Sequence, residues 1–279
     1  MGQDMTAIPL ITSLPPVFSR QNPDGAEIGP DWLETCVTSW LRAGFRPITV
    51  NSAREDMPEF ALLPEFDQVK TQRDGFDAFG KRYVPLWDML ARATEGVDGP
   101  VGIVNSDIAL ELDQDAKDRI ATLRPGACIV CNRIDVADTT MTGGAVYGSG
   151  FDFFVFHASD LRAMPENGMY FGLPWWDHFL PVSILGRGAQ RLSGEGIDAY
   201  HLSHGGRWKR RLWRSLGHRF IEDIRAQGDA IDAAYLSALG QIVGRRAARR
   251  ARFLPGGLRK DDFYALSDLN IDYVDRALP

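Results

Sequence analysis

Short apolar runs alternate with amphipathic segments over residues 8 to about 156, which predicts strands and helices in turn. Runs with strand character lie at 8–14, 45–50, 68–71, 101–108, 128–133 and 151–157. Apolar residues recur at three-to-four spacing after Asp31, Pro85 and Asp113, which predicts helices, and Asp31, Asp113 and Asp160 are suited to cap helices. Strands that alternate with helices are typical of a mostly parallel sheet wrapped by helices, so the pattern predicts an α/β fold.

The last part of the chain has a different character. From about Trp208 to Arg252, apolar and basic residues recur at helical spacing, and no stretch has the length and composition of a linker between independent domains. We therefore expect one domain over residues 1–220, followed by a helical extension over residues 221–279 that packs on the same domain.

Composition narrows the classes of function that fit. The chain has 279 residues and a net charge of −6, so it lacks the basic character of a nucleic-acid-binding protein. No segment is long and apolar enough to cross a bilayer. The cysteines Cys36, Cys128 and Cys131 lack the spacing of a secreted scaffold or a zinc site. These features favour a cytoplasmic protein whose cysteines belong to the core.

The most informative segment is the run from Val101 to Ile108, where an apolar strand ends in polar residues. Side chains alternate along a strand, so Asn105 and Asp107 are expected on one face and Ser106 on the other. Open α/β sheets bind ligands beyond the carboxyl ends of their strands, and a carboxylate there is a suitable ligand for a divalent cation. An ordinary turn has the same residue types, so this segment alone leaves both interpretations open.

Two further segments carry candidate chemistry. Asp177 follows Trp175 and Trp176, whose faces are suited to stacking on a sugar and which would desolvate the acid, raising its pKa toward the range of a general base. His201 and His204 place two imidazoles together, where either could complete a metal site. The alternatives are a helix N-cap for Asp177, core positions for the tryptophans and structural hydrogen bonds for the histidines.

Residues after the first two strands are candidates for a nucleotide site. Ser13 and Arg20 follow the first strand, and Asn51 and Glu55 follow the second. In a doubly wound sheet, a base and a ribose bind beside such strand ends. The chain lacks the spacing of a P-loop and the glycine fingerprint of a dinucleotide-binding fold, which disfavours kinases and classical dehydrogenases.

The order of these features resembles the GT-A class of nucleotide-sugar-dependent glycosyltransferases over about residues 8–220. The shared features are an N-terminal nucleotide-binding half, a D-x-D-like motif at Asn105-Ser106-Asp107, an acid in an aromatic segment and a later histidine. The resemblance implies a GT-A-like α/β fold in which a mostly parallel sheet is flanked by helices. It also implies transfer of a sugar from a UDP- or GDP-sugar to a saccharide or other hydroxyl acceptor.

Carried over to this chain, the resemblance implies a role for each candidate. Asp107 would bind Mn²⁺ or Mg²⁺ together with His204 or His201, and the metal would offset charge on the departing diphosphate. Asp177 would be the general base of an inverting reaction, although retaining members share the fold. Asn105 departs from the family pattern, because a neutral amide is a weaker metal ligand than a carboxylate. Donor-binding positions would be Ser13, Arg20, Asn51, Glu55, Asn105, Ser106 and Asp107, and acceptor-binding positions Trp175 and Trp176.

Two other functions remain open at this point. A sugar nucleotidyltransferase would also bind a nucleotide and a metal, although residues 15–20 lack the glycines of its usual phosphate loop. A non-catalytic carbohydrate- or nucleotide-binding module would account for the neutral Asn105. Separately, Arg245–Arg252 carries arginines at helical spacing, which fits either peripheral contact with anionic lipid at the inner face of a membrane or a solvated helix face.

Overall fold

Two sheets carry the strands of the molecule. In the computed structural model, the described residues are 7–22, 24–57, 65–204, 208–250 and 258–278, with the backbone alone for 245–250. The strands described are β1 (Ile8–Thr12), β2 (Phe45–Ser52), β3 (Asp67–Thr71), β4 (Pro100–Val104), β5 (Ile108–Leu112), β6 (Ala127–Cys131), β7 (Ile134–Val136), β8 (Ala145–Val146), β9 (Phe153–His157), β10 (Gln190–Leu192) and β11 (Ile197–Leu202). The larger sheet has the order β10-β6-β9-β4-β1-β2-β3, and the smaller one β5-β11-β7-β8.

The larger sheet is parallel except at one strand. β9 runs antiparallel to its neighbours β4 and β6, and the other pairings in this sheet are parallel. In the smaller sheet, β11 pairs antiparallel with β5 and parallel with β7. The expectation of a mostly parallel α/β sheet is therefore confirmed.

Helices flank the larger sheet. They are α1 (Gly29–Arg42), α2 (Phe76–Phe79), α3 (Leu86–Ala93), α4 (Gln114–Ala121), α5 (Ala158–Arg162), α6 (Trp176–Gly186), α7 (Arg210–Ala226), α8 (Ala233–Arg250) and α9 (Lys260–Arg276). Alternate residues of one strand enter different cores: Leu10 packs in the cluster with α1 and α4, and Ile11 in the cluster with α3 and α6. The sheet is thus covered on both faces, as its apolar strands require.

The predicted helix caps are partly correct. Asp113 caps α4 by accepting a hydrogen bond from the backbone N–H of Ala116. Asp31 lies inside the first turn of α1, because Pro30 is compatible with that turn and the N-cap is Ile28, three residues earlier. His157 caps α5, whereas Asp160 accepts a hydrogen bond from the backbone N–H of Gly126.

The predicted strand at 101–108 is two strands. β4 ends at Val104, and the chain turns before β5 begins at Ile108 in the other sheet. Two buried indoles of α1 hold this turn: Trp32 Nε1 donates to the backbone oxygen of Asp107 at 3.0 Å, and Trp40 Nε1 donates to that of Ile108 at 2.8 Å. Strand alternation therefore does not set the directions of Asn105 and Asp107.

The C-terminal helices share the core of the larger sheet. Phe220, Phe263 and Val274 belong to the same buried cluster as strands β4 and β6. Arg191 of β10 donates to the backbone oxygen of Val274 at 2.9 Å and to that of Val130 at 2.9 Å. No helix among the described residues is long and apolar enough to span a membrane.

Candidate functional site

The candidate residues meet at one edge of the larger sheet. From β1, the strands β2 and β3 follow toward one side of the sheet, whereas β4 lies on the other side of β1. The strand order therefore reverses between β1 and β4. A crevice at the carboxyl ends of strands at such a reversal is the usual ligand site of open α/β sheets. Because β9 is antiparallel to β4 and β6, its amino end lies at this same edge. Residues that follow β4 and β6 therefore meet residues that precede β9.

Asp107, His201 and His204 form a group of potential metal ligands at this edge. One ligand atom from each residue lies within 4.8 Å of the other two. Asp107 comes from the turn after β4, whereas His201 lies in β11 and His204 just after it. The structure thus brings together the three residues that the sequence analysis assigned to a metal.

Asp107 is surrounded by cationic groups. Arg20 Nη2 lies 2.8 Å from Oδ2 of Asp107, and His201 Nε2 lies 3.4 Å from the same oxygen. Burial raises the pKa of this carboxyl, but the hydrogen bond from His201 and the charges of His201, Arg20 and His204 lower it further than burial raises it. The net pKa is well below its usual value, so Asp107 is ionised at neutral pH.

His201 has one ring nitrogen anchored and the other directed at Asp107. Nδ1 of His201 donates a hydrogen bond of 2.8 Å to Oδ1 of Asp135. A carboxylate behind a histidine is the arrangement that orients metal-binding imidazoles. Burial lowers the pKa of His201, and hydrogen bonds with Asp107 and Asp135 reverse this to a net increase. The pKa of His204 is lowered by burial and by the nearby charges of Arg20 and His201.

A buried acid that the sequence analysis missed, Asp152, extends this network. Its Oδ1 accepts a 2.6 Å hydrogen bond from Asn105 Nδ2, and its Oδ2 lies 3.2 Å from Arg133 Nη1. Arg133 Nε also donates at 2.7 Å to Asp135, the carboxylate that holds His201. The network comprises Asn105, Asp152, Arg133, Asp135, His201 and Asp107.

The aromatic residues on both sides of Asp152 give the segment the pattern of a buried strand, so the sequence does not indicate a site residue there. The run at 151–157 predicts one continuous strand, whereas β9 begins at Phe153 and leaves Asp152 at the edge of the sheet. The residue is 5% exposed, and burial raises its pKa to about 6. The charge of Arg133 acts against this increase, while the negative charge of Asp177 adds to it. A lone acid between two phenylalanines is the signal that could have found it.

The residues after β1 and β2 line the other side of the edge. Asn51 is buried, and its Nδ2 donates to the backbone oxygen of Leu14 at 2.8 Å and to Glu55 at 3.3 Å. Burial raises the pKa of Glu55, and hydrogen bonds from Asn51 and Ser52 oppose that increase. Ser13 and Ser106 are half-buried in the loops after β1 and β4.

Asp177 reaches the same edge from the first turn of α6. Trp175, with a φ of +80°, occupies the N-cap position, so the N-cap alternative for Asp177 does not apply. The Asp177 side chain is 23% exposed, and a β-carbon added to Gly150 would lie 2.7 Å from its Oδ2. Burial raises the pKa of both Tyr147 and Asp152, and the negative charge of Asp177 raises them further. Asp177 is therefore the more accessible of the two neighbouring acids.

Trp175 and Trp176 are core residues. They are 2% and 3% exposed. The Trp175 ring lies 5.3 Å from that of Trp213, and the Trp176 ring lies 4.4 Å from that of Phe171. Because protein rings cover these indoles, the structure corrects the expectation that they form a sugar-stacking surface for the acceptor.

The cysteines and the arginine run carry none of the candidate chemistry of this edge. Cys36, Cys128 and Cys131 are buried free thiols, as expected of core cysteines. The predicted lipid contact at Arg245–Arg252 rests on side chains that lie outside the described residues.

Comparisons with known proteins do not identify a family. No protein-family model matches the chain, and no curated protein matches it. Two solved structures of HddC from Yersinia pseudotuberculosis are similar to it at 10% sequence identity, one of them complexed with GMP-PN. Their TM-scores are 0.37 and 0.35, and each match covers 61% of this chain and 85% of HddC. Likeness at this level identifies neither a fold family nor a function.

Proposed function

We propose that this chain is a GT-A-like glycosyltransferase that moves a sugar from a nucleoside-diphosphate donor to a hydroxyl acceptor. The observation that carries the proposal is the convergence of Asp107, His201 and His204 at the carboxyl edge of the sheet. The order of motifs along the chain independently assigns these residues to one metal. Their place beside the strand-order reversal is where such sheets bind ligands.

The donor would lie in the crevice between the ends of β1, β2 and β4. Arg20 faces this crevice beside Asp107 and carries a guanidinium suited to a diphosphate. Asn51 and Glu55 supply amide and carboxyl groups on the β2 side, which suit the hydroxyls of a ribose and the edge of a base.

The ligand group fits a divalent cation. It combines one ionised carboxylate with two imidazoles, and Asp135 anchors the more buried imidazole from behind. Imidazole ligands favour Mn²⁺ over the harder Mg²⁺. When bound there by Asp107, His201 and His204, a cation would neutralise charge that develops on the leaving diphosphate.

Asp177 is our candidate for the general base. Its carboxylate would accept the proton of the acceptor hydroxyl as the hydroxyl oxygen attacks the anomeric carbon and the bond to the diphosphate breaks. A single displacement of this kind inverts the anomeric configuration. Its partial exposure gives it access to a substrate that the buried Asp152 lacks.

A screen of donor turnover tests the proposal. UDP-sugars and GDP-sugars are offered with Mn²⁺ or Mg²⁺, and release of nucleoside diphosphate is measured. Asp107→Ala should reduce turnover by at least about 100-fold, because a major electrostatic contribution is removed. Asp67→Ala, which removes an exposed carboxylate of β3, is the matched control and should retain activity. Full turnover in Asp107→Ala would refute the assignment of the metal group.

A second measurement tests the role of Asp177. Asp177→Asn should lower kcat by about 100-fold or more, while the KM for the donor changes little, because only proton transfer is impaired.

Calorimetry and a turnover assay separate the rival functions. Metal-dependent binding of nucleoside diphosphates supports a transferase, and binding of free sugar alone supports a non-catalytic module. Turnover of nucleoside triphosphate with sugar phosphate would instead identify a nucleotidyltransferase.

A further inference from the structure

The beginnings of α7 and α9 lie side by side and form a surface outside the candidate active site. The ring of Trp213 lies 5.3 Å from that of Tyr264, and Arg214 Nη2 donates to the backbone oxygen of Leu258 at 2.5 Å. These contacts place the first turns of the two helices next to each other. We define the α7/α9 surface as Trp208, Lys209, Arg210, Arg211, Lys260 and Tyr264.

The cations of this surface are exposed and concentrated. Lys209, Arg210 and Arg211 are consecutive and exposed, and within the described part of the chain no ion pair is seen for any of them. Lys260 is also exposed, one turn before Tyr264 in α9, and Asp261 is the exposed acid beside it. The whole chain carries a net charge of −6, so this concentration of positive charge is local.

The position of these cations works against the stability of α7. The amino end of a helix carries a partial positive charge, so cations in its first turn are unfavourable and acids are favourable. α7 begins with Lys209 as its N-cap residue and two arginines after it, and it has no acid in its first turn. A sequence that breaks a local rule without compensation inside the fold points to an external partner, here an anionic one.

Exposed aromatic side chains accompany the cations. Trp208 and Tyr264 are each 48% exposed. The ammonium of Lys260 lies 4.9 Å from the centre of the Tyr264 ring, which the Trp213 ring also contacts, so this tyrosine has little free face for stacking on a nucleic-acid base. Indole and phenol groups beside lysine and arginine are typical of protein surfaces at the headgroup level of membranes.

We propose that the α7/α9 surface binds the surface of a membrane that contains anionic phospholipid. The charge complementarity is direct, because the exposed cations and the acid-free amino end of α7 meet the phosphate groups of the headgroups. Trp208 directly precedes these cations and is 48% exposed, so it gains by moving its apolar ring out of water into the interface. This proposal does not depend on the glycosyltransferase activity, and it uses none of the residues assigned to that site.

Vesicle sedimentation with the full-length protein tests this proposal. Vesicles of phosphatidylcholine mixed with phosphatidylglycerol should sediment the protein, and vesicles of phosphatidylcholine alone should not. Replacing Lys209, Arg210 and Arg211 by serine should weaken partitioning by on the order of 100-fold, at roughly fivefold for each cation removed. Trp208→Ala should weaken it as well, and added salt should release the parent protein.

Matched variants separate this surface from general charge. A triple serine variant of Arg92, Arg124 and Arg225, three exposed arginines elsewhere, should bind vesicles like the parent. Phe76→Ala removes an aromatic side chain that is 46% exposed on another surface and should also leave binding unchanged. Thermal unfolding checks that every variant is folded.

Two outcomes would overturn the proposal. One is equal binding to the two kinds of vesicle, or equal loss of binding in both triple variants. The other is absence of vesicle binding together with binding of a single-stranded oligonucleotide that requires Lys209, Arg210 and Arg211, which would assign the surface to nucleic acid.

Discussion

At the scale of single residues, the contact between Asp135 and His201 determines the orientation of one potential metal ligand. Asp135 accepts a hydrogen bond from Nδ1 of His201, which leaves Nε2 directed at Asp107. We expect Asp135→Asn to weaken Mn²⁺ binding by about 10-fold, because the neutral amide orients and polarises the imidazole less well. Titration calorimetry measures this, with Asp138→Asn, two residues after the end of β7, as a control. Unchanged affinity in Asp135→Asn would show that His201 is not oriented through this carboxylate.

Asp152 provides a prediction about pH. Its pKa is raised from 3.8 to about 6 in the folded protein. Between these values the folded protein holds a proton that the unfolded chain releases, so this residue's contribution to stability is full below the unfolded pKa and is lost as the pH rises through the folded pKa. The free energy of unfolding of the parent, relative to that of Asp152→Asn, should fall by about 3 kcal/mol between about pH 4 and about pH 7.

Denaturant unfolding at several pH values tests this dependence, and Asp138 supplies a control of opposite sign. Hydrogen bonds from Thr140 lower the pKa of Asp138 below its ordinary value of 3.8, so the stability of the parent relative to Asp138→Asn should be constant above about pH 4 and should fall as the pH drops below it. A flat difference between the parent and Asp152→Asn across this window would mean that Asp152 is ionised throughout.

At the scale of elements, the end of β4 differs most from the sequence prediction. An apolar run followed by Asn105 and Asp107 predicted one strand through 108, but two indoles of α1 hold the chain in a turn. The two side chains therefore reach different partners: Asn105 binds Asp152, and Asp107 binds Arg20 and His201. Local periodicity could not predict this, because the turn depends on hydrogen bonds from a helix that is distant in sequence.

The packing of β4 against β1 gives a second prediction about an element. A β-carbon at Gly102 would lie 2.6 Å from Cδ1 of Leu10 and 3.3 Å from Cε1 of Phe45, both in the buried core. We expect Gly102→Ala to destabilise the fold by about 1–3 kcal/mol through overpacking.

Gly240 in α8 is the matched control, since a β-carbon there would meet nothing within 4 Å. Gly240→Ala should stabilise the protein by about 0.5–1 kcal/mol through helix propensity. Denaturant unfolding measures both variants. Loss of stability in both, or in neither, would contradict the packing seen around β4.

At the scale of the whole molecule, the sequence predicts the fold class and most elements better than it predicts contacts. The alternation of strands and helices, the cap at Asp113 and the core positions of the cysteines follow from local physics. The antiparallel direction of β9 does not, and without it Asp152 cannot be placed beside Asn105. The burial of Trp175 likewise depends on α7 and α9, whose packing a local aromatic pattern does not specify.

The extent of the shared core leads to a prediction about cooperativity. Phe263 of α9 is fully buried in the cluster that contains β4 and β6, whereas its neighbour Tyr264 is 48% exposed. If α7 and α9 belong to one folding unit with the sheet, Phe263→Ala should lower the free energy of unfolding of the whole molecule by about 3–5 kcal/mol. Tyr264→Ala should cost much less. Hydrogen exchange at the β4 amides and tryptophan fluorescence should then show the same loss of stability in Phe263→Ala, because both report a single unfolding transition. Early unfolding of the C-terminal helices, with protection at β4 unchanged, would instead make these helices an independent unit.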